Sequence, residues 1–137
     1  YIKMLVNNKG ITLVEVLVGM AAFVVGMAAL LLVFSQSITM GKRGEVAYTA
    51  FNLAKNHMER LKGFAFGDLA SAAEDSVTVN ADGQADPNGQ FNRTTTVTQN
   101  YHGRSDLVQI TVQIHYKVKG VQSAAPMKMS TVIYSGG

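Results

Sequence analysis

The stretch "KGITLVEVLVGM", Lys9 to Met20, decides the reading of this chain: one carboxylate, Glu15, stands at the head of a segment otherwise composed for lipid. From Val16 to Met40 no side chain is charged. At ~1.5 Å per residue a helix over that run extends roughly 37 Å, more than the ~30 Å hydrocarbon core of a bilayer. The run therefore predicts a transmembrane helix. A buried soluble helix fits less well, because such helices seldom stay apolar on every side for so long. A cleaved secretory signal also fits less well. Its apolar region ordinarily spans only ~7 to 15 residues and ends at a small-residue cleavage site, whereas this one passes into a further amphipathic pattern.

With 137 residues and two prolines, the chain has room for one domain of ordinary size. Its formal charge is +3, but setting aside Lys3 and Lys9 leaves ten basic residues against nine acidic ones. Net charge thus points to no particular partner. The pI near 9.3 raises nucleic acid as a reading, yet no basic run exceeds Lys42-Arg43, and Lys117 and Lys119 make only a thin stripe. Cysteine is absent, so thiols say nothing of the redox compartment.

Working outward, "YIKMLVNNKG" (residues 1–10) is short, carries two lysines and ends in glycine, as a cytoplasmic leader would. The chain opens on tyrosine, and Met4 is the expected start, with the first three residues an upstream remnant. Downstream, Ala47, Ala50, Phe51, Ala54, His57, Met58 and Leu61 recur at spacings of three and four. They predict the buried face of an amphipathic helix whose wet face holds Glu45, Asn52, Lys55, Asn56, Glu59 and Lys62. Gly41 and Gly44 lie at the joint of the two halves, and Gly63 is the expected end of a single helix of about 50 residues.

Phe64 to Asp75 reads as irregular. Strands are expected at Ser76–Asn80, across "FNRTTTVTQNY" (Phe91–Tyr101), over "LVQITVQIHYKVK" (Leu107–Lys119) and at "MKMSTVIYS" (Met127–Ser135). The third has the strongest period of two, Val108, Ile110, Val112, Ile114, Tyr116 and Val118 alternating with polar residues. Turn formers fill "ADGQADPNGQ" and "HGRSD", and "GVQSAAP" reads as a loop. The fold class is α+β: a long N-terminal helix packed on a C-terminal antiparallel sheet of three or four strands, in meander order.

"KGITLVEVLVGMAAF" resembles the class III signal of type IV pilins and of the pseudopilins of type II secretion: a short basic leader, glycine, an apolar residue, threonine, and glutamate fifth after the glycine. The resemblance implies the pilin-like fold and a division into a leader (1–10), a transmembrane or filament-core helix (11–40) and a remainder (41–137) that completes the helix and forms the head. It implies cleavage after Gly10 by a prepilin peptidase and N-methylation of Ile11. Its implied partners are other pilin and minor pilin subunits and an assembly platform in the inner membrane. The implied location is that membrane, single-pass with the head in the periplasm, and then a pilus or pseudopilus. "LAKNHMERLK" is most similar to minor pilins of the pilus-modification group and to the I-type minor pseudopilin. Leu32 stands where major pilins commonly carry a kinking proline, and their C-terminal cysteine pair is absent, which favours a minor subunit. The alternatives are a minor pseudopilin and a membrane-tethered periplasmic binding module.

A carboxylate inside a membrane helix costs ~2.5–3.5 kcal/mol on insertion scales and calls for a cation. With Lys9 removed in the leader, the freed amine of Ile11 is the available partner, on the same chain or on a neighbour. The family favours the neighbour, which makes Glu15 a registry device for stacked helices; the plainer reading is a polar end at the membrane interface. Gly19, Ala22, Gly26 and Ala29 follow spacings of three and four, as in a face for close helix packing. Lys42 and Arg43 match the leader lysines in number, so charge sets no orientation.

No catalytic constellation stands out, and the chain reads as a non-enzyme without cofactor or metal. His57 falls on the apolar helix face as a packed core residue, His102 in a turn, and His115 on the polar side of its strand. Asp82, Asp86 and Asn88 miss the EF-hand spacing and read as a solvated turn. "NRT" at Asn92 fits a glycosylation acceptor only by chance. DNA or an adhesive ligand as partner has no support beyond Lys117 and Lys119. The exposed loop from Ala81 to Gln90 and the sheet edge are the places where a ligand would be sought.

Overall fold

A computed structural model describes residues 10–136. The expected leader, apart from Gly10, lies outside the described residues. The elements are a helix α1 (Leu13–Lys62), a 3-10 helix (Phe66–Ala72), strands β1 (Glu74–Val79) and β2 (Phe91–Gln99), a 3-10 turn (Tyr101–Gly103), and strands β3 (Leu107–Val118), β4 (Val121–Gln122) and β5 (Met127–Tyr134). The architecture is the expected α+β one. The chain divides into two compact units, one ending at Met40 and one from Gly41 to the C-terminus.

In the first unit α1 is exposed along its length. It is long and apolar enough to cross a membrane, with a mean hydropathy of 2.7 over its most apolar window and none of that window buried. Phe23, Leu30, Leu31, Leu32 and Phe34 are each about two-thirds exposed. Among the described residues nothing covers this surface, and water would leave it uncompensated at ~25 cal/mol per Å².

The second unit has its own core. Ala50, Leu53, Ala54, His57, Met58 and Leu61 are the buried residues of α1, one stripe at helical spacing laid on the inner side of the sheet. Leu53 takes the place in the stripe expected of Phe51, which is 41% exposed. From β3 come Val108, Ile110, Val112 and Ile114, all buried, while Tyr116 packs from the edge of the core. Each such aliphatic side chain contributes ~1.5–3 kcal/mol by leaving water. Leu69 of the first 3-10 helix closes the core.

At the end of α1 the N–H of Gly63 donates to the Arg60 carbonyl (3.2 Å) and that of Phe64 to Leu61 (3.1 Å). The last turn thus tightens to i→i+3 bonds, and Gly63 ends the helix as expected.

All strand pairings are antiparallel, in the order β1-β2-β3-β5, with short β4 paired to the end of β3. The sheet therefore has one strand more than expected. β4 lies inside the segment read as a loop; the Lys119-Gly120 turn before it has positive φ at both residues (51° and 80°), the geometry of a two-residue hairpin. β2 ends two residues early because Asn100 and His102 adopt left-handed φ of 53° and 54°. The supposedly irregular stretch after α1 holds the first 3-10 helix. At Gly89 an added Cβ would run into the Val79 carbonyl, so the turn closing the Ala81–Gln90 loop requires glycine.

β1 starts two residues earlier than its alternation suggests, because a bulge with Ser76 at φ 56° breaks the period. Residues three apart on a regular strand face opposite sides; the bulge turns both Glu74 and Val77 inward, opposite Thr95 and Arg93. Glu74 is thereby delivered to a polar cluster inside the head. Arg93, 6% exposed, donates to it twice, Nε to Oε2 at 2.7 Å and Nη2 to Oε1 at 2.8 Å, and donates through Nη1 to the Gly83 carbonyl at 3.1 Å.

Arg60 Nη2 lies 2.7 Å from His57 Nδ1. A guanidinium can only donate, so Nδ1 accepts and the proton sits on Nε2, which donates to Thr95 Oγ1 at 3.0 Å. Thr95 in turn donates to Glu74 Oε2 at 3.1 Å. Burial, reinforced by Arg93, pushes the His57 imidazole down to about 4 from its ordinary 6.5. For Glu74 burial acts upward, but the hydrogen bonds and charge of Arg93 outweigh it and hold the carboxyl below its ordinary value.

Both shifts destabilise the head in acid. The fold prefers neutral His57, so that contribution is whole above pH 6.5 and is lost as pH falls through about 4. Glu74, held low, contributes above its ordinary 4.5 and loses that contribution on further acidification. In the full chain in non-ionic detergent, urea unfolding of the head should weaken by about 3 kcal/mol from neutral pH to pH 4 on account of His57. His57→Gln should flatten that dependence while lowering stability at neutral pH, and an unchanged slope in the variant would contradict the assignment.

Candidate functional site

The candidate site is the start of α1. Gly10, Ile11 and Thr12 precede the first helical residue, Leu13, and all are exposed. The Glu15 N–H donates to Thr12 Oγ1 at 3.2 Å. In return Glu15 Oε2 accepts from the Thr12 N–H at 3.0 Å and from its hydroxyl at 3.1 Å. This is a reciprocal capping box, with threonine at the N-cap and glutamate three residues on, satisfying donors that a helix start leaves open. The helix dipole favours the carboxylate at the same place.

This arrangement changes the account of Glu15. From its place before an apolar run, Glu15 is expected to want a cation. In the single chain it is already served by two donors from Thr12, and among the described residues no cation forms an ion pair with it. The signal was present in the sequence: a T-x-x-E spacing, Thr12 to Glu15, directly before an apolar run is the mark of a capped helix start.

Gly19, Ala22, Gly26 and Ala29 are all exposed. A Cβ built on Gly19 or Gly26 meets nothing within 4 Å, so the stripe is open for a neighbour and holds none in the single chain. Leu32 lies within the uninterrupted helix.

The model for the prokaryotic N-terminal methylation motif matches residues 5–31 of the 137. This chain carries that methylation motif. The match supports a type IV pilin-like or pseudopilin protein, whose implied partners are a prepilin peptidase and pilus components. The motif spans Gly10, Ile11, Thr12, Glu15 and the small-residue stripe, all of which the structure places at or along one exposed helix start. No curated protein and no solved structure matches the chain.

Away from the motif, His57 is buried as expected, though inside the polar cluster rather than among apolar neighbours alone. His115 is half-buried opposite Asn92, and among the described residues its buried Nδ1 has no hydrogen-bond partner. Asn92 sits within β2 and accepts from the Ser76 hydroxyl at 3.0 Å, not on an open loop. Some backbone N–H groups of the Ala81–Gln90 loop are held by nearby side chains. Asn80 Oδ1 accepts from the N–H of Asp82 and of Gln84, both at 3.0 Å, and Asp86 Oδ1 accepts from that of Asn88 at 2.9 Å. Among the described residues no group of three or more His, Cys, Asp or Glu is placed to hold a metal.

Loss of an N-cap side chain costs ~0.5–2 kcal/mol locally. Thr12→Val should therefore raise amide exchange at Glu15, whose N–H loses its acceptor, roughly tenfold in micelles, with residues past Gly19 unaffected. Unchanged exchange at that amide would show that the box does not hold in the membrane-like environment.

Proposed function

We propose that this chain is a minor pilin, a structural subunit that takes part in assembling a bacterial type IV pilus. One observation carries the reading: a helix with no charge between Glu15 and Lys42, exposed on all sides, begins two residues after the Gly10-Ile11 step inside a matched methylation motif. A surface of that composition is compatible first with lipid and then with the helices of other subunits. The continuity of α1 through Leu32 supports a minor over a major subunit.

On this reading a prepilin peptidase cleaves after Gly10 and the new amine of Ile11 is methylated. The subunit then waits in the inner membrane with its head outside. Glu15 waits as well, its charge held by Thr12 near the headgroup edge. Docking into a filament moves the start of α1 into a dry bundle. There the two hydroxyl and amide bonds no longer compensate the buried anion, and the Ile11 ammonium of a neighbour does. The pair neutralises two charges at once and admits one axial position. Gly19, Ala22, Gly26 and Ala29 give that neighbour room to approach.

Co-expression with a prepilin peptidase should shorten the chain to begin at Ile11, read by intact mass, and Gly10→Ala should leave it whole. A chain of unaltered mass would favour a tethered binding module instead. Glu15→Ala should insert in the membrane normally yet fall at least tenfold in sheared pili. Thr12→Val, which loses the cap but keeps the carboxylate, should be incorporated. Equal loss in both variants would show that the cap, not the registry charge, is what assembly needs.

A further inference from the structure

Four basic side chains gather at one end of the head. Lys42, Lys117 and Lys119 line a groove of ≈ 450 Å³ in which Glu45 is the acidic member. Arg43 lines a second groove, of ≈ 380 Å³, with Tyr116 and Val121. The β3–β4 hairpin belongs to both, and just past its turn Val121 is 72% exposed. An open valine in a groove shared with Arg43, beside the groove of three lysines, is an uneconomical surface in water. It suits the boundary between headgroups and acyl chains, where ammonium and guanidinium groups meet phosphates while apolar atoms sink.

Chain connectivity fixes the depth of this end. Lys42 and Arg43 come two and three residues after Met40, where the uncharged run stops, so at ~1.5 Å per residue both lie within about one helical turn of the apolar segment. A segment that spans a bilayer holds them at headgroup level, and Lys117 and Lys119 line the same groove as Lys42. The opposite end of the sheet, at Ser105 and Leu107, is the whole 12-residue length of β3 away, roughly 36 Å at strand rise.

We propose that this end of the head is a membrane-contact surface. Lys42, Arg43, Lys117 and Lys119 engage the phosphates of anionic phospholipids and Val121 enters the headgroup layer, holding the head down on the leaflet until the subunit is extracted. The proposal rests on α1 spanning the membrane, though not on what the subunit later joins. Lys117 and Lys119 could also meet the phosphates of DNA, but a duplex requires an approach clear of the bilayer, and Lys42 and Arg43 are tied to its surface.

The chain has no cysteine, so a single Gln122→Cys label beside Val121 reports on the surface and a Ser105→Cys label on the far end. The full chain is reconstituted into phosphatidylcholine vesicles, with or without phosphatidylglycerol, containing a headgroup spin-labelled lipid. Only the Gln122→Cys label should be quenched, several-fold more with the anionic lipid, and salt should reverse the gain. Lys117→Gln with Lys119→Asn should bring it down to the level of the Ser105→Cys label. Asparagine is chosen because Lys119 holds a φ of 51°, which asparagine tolerates. An inserted chain whose Gln122→Cys label is no more quenched than the far one overturns the proposal alone. Failure to insert overturns it together with the spanning reading. Retention of duplex DNA by the inserted chain, with the label unquenched, gives the basic end to nucleic acid.

Discussion

The carboxylate of Glu15 and the hydroxyl and amide of Thr12 make the interaction on which the account turns. An anion at the front of an apolar helix must be compensated at every stage at which that helix is stable. The capping box does so within one chain, at the water-facing edge, using groups that a helix start leaves open in any case. It is a local, exchangeable arrangement. In the proposed filament a stronger donor, a full positive charge in a site without water, would replace Thr12, and that difference would let the same residue serve a waiting subunit and an assembled one.

The head is built on separate principles and places the opposite demand on its charges. There a half-buried Glu74, buried Arg93 and neutral His57 are linked by Thr95 into one chain of donors and acceptors. Removing one member would leave another uncompensated in the interior, so the cluster ties β1 and β2 to the helix in a single arrangement. The bulge at Ser76 is what makes this possible, since without it Glu74 would point to the outer side of the sheet.

Much of this was legible in the sequence, for physical reasons that also mark the limits. The membrane half of α1 announces itself by the absence of charge, and β3 by its strict alternation, since both follow from a surface that is uniformly or half apolar. The boundary of β1 was misread because one left-handed residue shifts the period. β4 carries no period because it has two residues, and the first 3-10 helix, with only Phe66 and Leu69 large among seven residues, is too short to show an apolar stripe. His57, Glu74 and the Arg93–Thr95 stretch are far apart in the chain, and Glu74, Arg93 and Thr95 each resemble an ordinary surface residue, so only the fold shows that they meet. The capping box differs: Thr12 and Glu15 spell it in the sequence by their spacing of three.

The central claim is that the anion changes partner, from its own Thr12 to the Ile11 amine of an adjacent subunit. A filament structure containing this subunit, at a resolution that separates side-chain oxygens, measures this directly. The account predicts Glu15 within ~3 Å of a neighbour's N-terminal nitrogen, with the bond to the Thr12 amide lengthened or broken. A carboxylate still bonded to Thr12, with no amine from any subunit in reach, would contradict it.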